Sequence, residues 1–173
     1  ENSLIKISNQ NISKHDFIEF TKYFGDPINH PTNIKDRDTE FPNITIISNI
    51  KKNGDQIGAL GSDEIEFHSD LVFLYNPGAV SILYCIDTPL SGGNTYWTDN
   101  ITALKELDPK IKNIINNKKI IYKHKNENYN EKPLASHPII CTHPKSEHKY
   151  LFFSPSSALK ISGINLNESK KIF

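Results

Sequence analysis

The chain reads as an α+β domain, with short strands gathered around one core and helices outside it. Three observations predict that class. Capping residues stand before runs of helical apolar periodicity. The remaining apolar runs are short, and several alternate at period two. No repeat or linker divides the 173 residues, a length that suits one domain with a real core.

Ser13 is placed to cap a first helix through Phe24, with Phe17, Phe20 and Phe24 on one face and Gly25 at the left-handed stop. That face is read as core packing. Residues 26–38 are polar and turn-rich, residues 44–47 form a short strand candidate, and residues 51–63, with three glycines, read as a surface loop. Residues 80–86 are apolar at both parities, which predicts a strand buried on both faces. Pro89, Gly92 and Gly93 mark the loop that follows. Thr98 or Asp99 opens a helix carrying Ile101, Leu104 and Leu107, and Asp108-Pro109 restarts it, since Asp caps and Pro fits the first turn. Residues 119–123 are a strand candidate, residues 125–133 a polar lid or mobile loop, and residues 139–142 and 149–154 two further strands. Residues 167–173 look like the opening turns of a helix.

Twenty basic and 20 acidic residues cancel, so no basic sheath for nucleic acid is indicated. No stretch approaches the roughly 18 unbroken apolar residues of a membrane helix. Cys85 and Cys141 sit in apolar runs and are read as reduced core residues rather than a disulfide. The expectation is a soluble cytoplasmic protein acting on a small molecule, with no nucleic-acid or membrane partner and with homo-oligomerisation left open. The lack of methionine and the form of the last residues suggest a fragment, cut at both ends.

The most informative residues are 66–70, Glu-Phe-His-Ser-Asp. On an extended strand, residues two apart share a face. His68 and Asp70 would then point one way and Phe67 and Ser69 the other. An imidazole beside a carboxylate can grip one metal ion and leave several of its positions free. That is two thirds of the two-histidine, one-carboxylate triad of non-haem Fe(II) oxygen chemistry. His137 and His143 each precede proline, which favours extended backbone, and are read as structural.

Five segments, in order, resemble the taurine dioxygenase (TauD/TfdA) family of Fe(II)/2-oxoglutarate-dependent oxygenases. They are Phe24-Gly-Asp-Pro-Ile-Asn-His-Pro31; Phe67-His-Ser-Asp70; Asp87-Thr-Pro-Leu-Ser-Gly-Gly-Asn-Thr95 with Trp97; His137-Pro-Ile-Ile-Cys-Thr-His-Pro144 followed by Leu151-Phe152; and Gly163-Ile-Asn-Leu-Asn-Glu-Ser169. The resemblance implies a mainly β, double-stranded β-helix (jelly-roll) core with flanking helices, incomplete in this chain. It implies a single dioxygenase-like domain over residues 1–173, Fe(II) as metal, 2-oxoglutarate as co-substrate and O2 as oxidant. The activity implied is hydroxylation or another oxidation of a small organic substrate, with release of succinate and CO2. His68 and Asp70 are then the metal ligands and catalytic pair, Thr95 a contact to the distal carboxylate of 2-oxoglutarate, and His30 and Glu64 substrate contacts. Asp70 stands where related halogenases carry a small residue, which favours hydroxylation over halogenation.

Two positions depart from taurine dioxygenase itself. Asn33 stands where that enzyme has a tyrosine, and Glu64 where it has an asparagine, and a carboxylate there would repel a sulfonate. The family's second metal histidine and its 2-oxoglutarate arginine would fall beyond Phe173. This keeps two other readings open: a non-catalytic jelly-roll ligand-binding module or degenerate fragment, and a cupin-like Mn or Zn enzyme.

Overall fold

The structure, a computed structural model, describes residues 4–29, 36–123 and 134–173. The chain divides into two compact units. One comprises residues 1–65 and 79–92, the other residues 66–78 and 93–173.

In the first unit, α1 (Lys14–Lys22) starts where the sequence places it. Ser13 accepts from the Asp16 backbone N–H, and Asp16 reaches back to the Ser13 backbone in a capping box. Gly25 follows at φ 138°. The phenylalanine face is not core, however. Phe17 is half-buried against Tyr84, with ring centroids 5.8 Å apart, while Phe20 and Phe24 are exposed and stack on each other at 5.4 Å. The expected strand at residues 44–47 is cut to β1 (Ile47–Ser48), which pairs in parallel with β4 (Ala59–Leu60). Between them, β2 (Lys51–Lys52) and β3 (Asp55–Gln56) form an antiparallel hairpin where a loop was expected. Its turn, Asn53-Gly54, has φ of 54° and 90°, the paired positive values that Asn-Gly accepts in a tight hairpin.

Residues 80–86 also differ from expectation. No strand pairs with them among the described residues, and Leu83 and Ile86 are 63% and 86% exposed. Apolar residues at both parities predict a strand only where neighbours exist to cover both faces. Cys85 is exposed and Cys141 half-buried; both are free thiols, and neither is the buried core residue expected.

Among the described residues, every buried apolar side chain lies in the second unit. There β5 (Lys119–Lys123) is the central strand of a three-stranded antiparallel sheet, flanked by β6 (Leu134–Pro138) and β9 (Ala158–Ile161). Ile120 and Tyr122, two apart on β5, bury one face. Leu71, Val72, Phe73, Ile115, Ile139 and Ile161 pack with them. β7 (Ile140–Thr142) and β8 (Lys149–Leu151) form a separate hairpin. Helices α2 (Asn100–Glu106) and α3 (Pro109–Ile115) begin at Asp99 and Asp108, whose carboxylates accept from backbone N–H groups, with Pro109 in the first turn. α4 (Leu166–Ile172) is capped by Asn165. The described residues form four small sheets and no closed barrel. None of the helices among them is long and apolar enough to cross a membrane.

The first unit is tied by a buried acid. Asp38 Oδ1 accepts from the backbone N–H groups of Glu40 and Phe41 at 3.0 Å each, and Oδ2 from Lys14 Nζ at 2.5 Å. The Lys14 hydrogen bond, aided by the two backbone donors, holds the Asp38 carboxyl below the usual carboxylate range. A carboxyl lowered in the fold stabilises it above the unfolded value, near 4, and the contribution is lost as pH falls through the lowered value. Asp38→Asn should therefore lower the thermal midpoint at pH 7, with the gap to the wild type closing on acidification below about pH 4. Calorimetry at pH 7, 5, 4 and 3 checks this.

Candidate functional site

The His-Ser-Asp segment is not on a strand. Residues 66–69 are irregular, with a bend at Phe67, and a turn spans residues 70–73. The two side chains converge nonetheless. His68 Nε2 lies 3.4 Å from Asp70 Oδ1. They are 41% and 51% exposed, Phe67 is also exposed, and Ser69 turns inward to half-burial.

The convergence has identifiable causes. After Asp70, Leu71, Val72 and Phe73 dive into the core, and Val72 is fully buried. Leu71 takes φ 55°, a left-handed conformation that costs a leucine about 1–2 kcal/mol. The Leu74 N–H closes the turn on the Leu71 carbonyl at 2.9 Å. Upstream, the Ser69 N–H donates to the Ser154 hydroxyl at 3.2 Å. Downstream, His137 Nε2 donates to the Leu74 carbonyl at 2.9 Å. In register His137 pairs with Ile120 and so shares the core face of β6 with Ala135, where a ring nitrogen must find a partner. The structural reading of His137 thus agrees with its contacts. His143 caps its own turn, with Nδ1 accepting from the Lys145 and Ser146 N–H groups.

The electrostatics of the pair follow from the other ring nitrogen. His68 Nδ1 is 2.8 Å from the Glu66 carbonyl oxygen. A carbonyl only accepts, so Nδ1 carries the proton, and in the neutral ring Nε2 turns its lone pair toward Asp70. Two acceptors face each other, an arrangement that a shared cation, either a proton or a metal ion, can bridge. Atoms on adjacent positions of one ion, with bonds of about 2.1 Å at near-right angles, stand about 3.0 Å apart. The observed 3.4 Å fits such an ion after a small movement. An imidazole whose second nitrogen is held by a backbone carbonyl is also the usual arrangement of a metal-bound histidine.

The other expected site residues divide as follows. Thr95 is in the same unit and exposed, following Gly92 and Gly93, both at positive φ (76° and 65°). Tyr96 and Trp97 beside it are exposed too. Glu64 is exposed and belongs to the first unit. His30, Asn33 and the lid expected at residues 125–133 lie outside the described residues. No third His, Cys, Asp or Glu joins His68 and Asp70 in a metal-sized group among the described residues. Sequence reasoning missed Ser154 and Leu71. A serine or leucine in an apolar run gives no signal of a long-range contact or of a left-handed turn.

Comparisons with known proteins converge. The model of the taurine catabolism dioxygenase TauD, TfdA family matches residues 1–173. A Schizosaccharomyces pombe protein assigned as an alpha-ketoglutarate-dependent sulfonate dioxygenase is 23% identical over 99% of this chain and 46% of its own length. The alpha-ketoglutarate-dependent sulfate ester dioxygenase of Pseudomonas putida is 22% identical over 89% of this chain and 54% of its own length. This chain thus spans about half the length of these relatives. The crystal structure of a taurine dioxygenase from Burkholderia xenovorans superposes with a TM-score of 0.54 at 26% identity, covering 61% of this chain and 37% of that one.

Because both side chains of the pair are substantially exposed, His68→Ala and Asp70→Ala should each change unfolding free energy by no more than about 0.5 kcal/mol. Urea unfolding followed by circular dichroism measures this. A larger loss would mean that the pair serves the fold.

Proposed function

The chain belongs to the taurine catabolism dioxygenase TauD, TfdA family, and on that premise we propose that it carries two metal ligands of an Fe(II)/2-oxoglutarate-dependent dioxygenase that oxidises a small organic substrate. The observation that carries the reading is the facing of His68 Nε2 and the Asp70 carboxylate at 3.4 Å, with Nδ1 held by the Glu66 carbonyl. Membership of the family supports a jelly-roll scaffold, to which the described sheets would contribute.

His68 and Asp70 would hold Fe(II) on adjacent positions and leave room for a chelating 2-oxo acid and dioxygen. When bound, the iron and its 2-oxo acid supply the oxidative chemistry, coupling decarboxylation to succinate and CO2 with oxidation of the substrate. The residues of this chain place and tune that group. The Glu66 carbonyl fixes the His68 tautomer, so that a neutral nitrogen lone pair is offered at Nε2. Asp70 contributes one negative charge. Thr95, which matches the family's threonine at this segment, would donate its hydroxyl to the distal carboxylate of 2-oxoglutarate.

The relatives are named for a sulfonate, a sulfate ester and taurine. For this chain we infer instead a neutral or amine-bearing substrate: by the family resemblance Glu64 stands at the position where taurine dioxygenase has an asparagine, and a carboxylate there would repel a sulfonate. His30 is the other substrate contact in this reading. Taurine should then fail to stimulate 2-oxoglutarate consumption by the wild type, and Glu64→Asn should raise that stimulation. Equal stimulation in both proteins would remove Glu64 from the substrate pocket.

Anaerobic addition of Fe(II) and 2-oxoglutarate to the intact protein should produce the weak visible charge-transfer band of a chelated 2-oxo acid, and Asp70→Ala should abolish it. A band of normal intensity in that variant would take Asp70 out of the site. Absence of the band from the wild type would favour a ligand-binding module.

A further inference from the structure

Ser154 is fully buried, yet its hydroxyl does not do what its position would have it do. It is the residue before a short 3-10 turn (Pro155–Ser157), where a serine commonly turns its oxygen onto the turn's own N–H groups. No such bond forms. The Oγ instead accepts from the backbone N–H of Ser69, 85 residues earlier and midway between His68 and Asp70, at 3.2 Å. Its remaining neighbour is the Ser156 hydroxyl at 3.5 Å. The Ser154 carbonyl is engaged separately, accepting from the Ser157 and Ala158 N–H groups, so the residue is fixed from both sides.

We propose that Ser154 is a positioning residue for the metal-binding pair, setting the separation of His68 and Asp70 by holding the peptide N–H between them. The inference rests on the reading of that pair as metal ligands. The segment is exposed at His68 and Asp70 and buried at residues 71–73. The Ser69 N–H contact ties its exposed half to the chain at Ser154. Remove the acceptor and the burial at residues 71–73 still anchors the Asp70 side, while the peptide between the two ligands loses the bond that sets its place. The two ligand atoms then lose their preset spacing, and ion binding must supply the ordering that the fold supplied before. Partners behind metal ligands typically matter by 10–100-fold in metal affinity.

Ser169 gives a matched control. It too is fully buried, and its hydroxyl accepts from the Ile161 N–H at 3.0 Å and donates to the Asn165 carbonyl at 2.8 Å. Neither bond involves residues 66–70. Co(II) would be titrated into the metal-free intact protein and followed by its visible absorption, for the wild type, Ser154→Ala, Ser169→Ala and His68→Ala, with the thermal midpoint of each metal-free protein recorded alongside. Both serine variants should lower the midpoint by a few degrees. Only Ser154→Ala should weaken Co(II) binding, by about tenfold or more, with Ser169→Ala unchanged. Unchanged affinity in Ser154→Ala, or equal weakening in both serine variants, overturns the positioning role while His68→Ala still abolishes binding. If His68→Ala binds Co(II) as the wild type does, the metal-pair reading falls and this inference falls with it.

Discussion

The arrangement of the site depends on a change of solvent environment at one peptide. His68 and Asp70 stand in water, and Leu71, one residue later, is in the core. Full burial of a side chain such as Val72, Leu71 or Phe73 is worth about 1.5–3 kcal/mol each. Against this stands about 1–2 kcal/mol for the left-handed Leu71. Burial wins by a clear margin, so the turn is held in a conformation that a free peptide would avoid. Strain of this kind, paid for by surrounding packing, recurs where a chain must present side chains in a fixed geometry. Tyr122 completes the support: its hydroxyl donates to the Phe152 carbonyl, and desolvation pushes the phenol well above its ordinary range, so it stays a donor at any physiological pH.

Helix starts were legible because capping is local chemistry. Ser13, Asp99, Asp108 and Pro109 act where their residue types say they should, since the partner N–H lies two or three residues away. The strand at Lys119–Lys123 was legible because three β-prone residues, Ile120, Ile121 and Tyr122, stand between lysines, and it is central, with a neighbour on each side. What failed involved long-range pairing. β6 and β9 carry weak patterns of their own and are strands because β5 lies between them. Residues 80–86 have the stronger pattern yet no strand partner among the described residues, and Phe20 and Phe24 have the right spacing yet stay exposed. The Asn53-Gly54 hairpin was a local signal overlooked under the three glycines of its loop.

Of the proposed site, the meeting of His68 with Asp70 was legible, but not the backbone that brings it about. Strand parity predicted that His68 and Asp70 would share a direction, and they do, yet the backbone there bends and turns. Two residues apart, an imidazole and a carboxylate can meet across a turn as readily as along a pleat. The spacing therefore survived an incorrect assumption about secondary structure. The hydrogen bonds from Ser69 to Ser154 and from His137 to Leu74 span 85 and 63 residues. No pattern within either segment could announce them.

The central claim concerns a cation between two named atoms, so the most direct measurement is to see it. Crystals of the intact protein grown anaerobically with Mn(II) and 2-oxoglutarate would be examined for anomalous scattering. The account predicts one strong peak within about 2.3 Å of both His68 Nε2 and an Asp70 carboxylate oxygen, with Nδ1 still on the Glu66 carbonyl. A peak elsewhere, or His68 and Asp70 paired directly with no metal density between them, would contradict it.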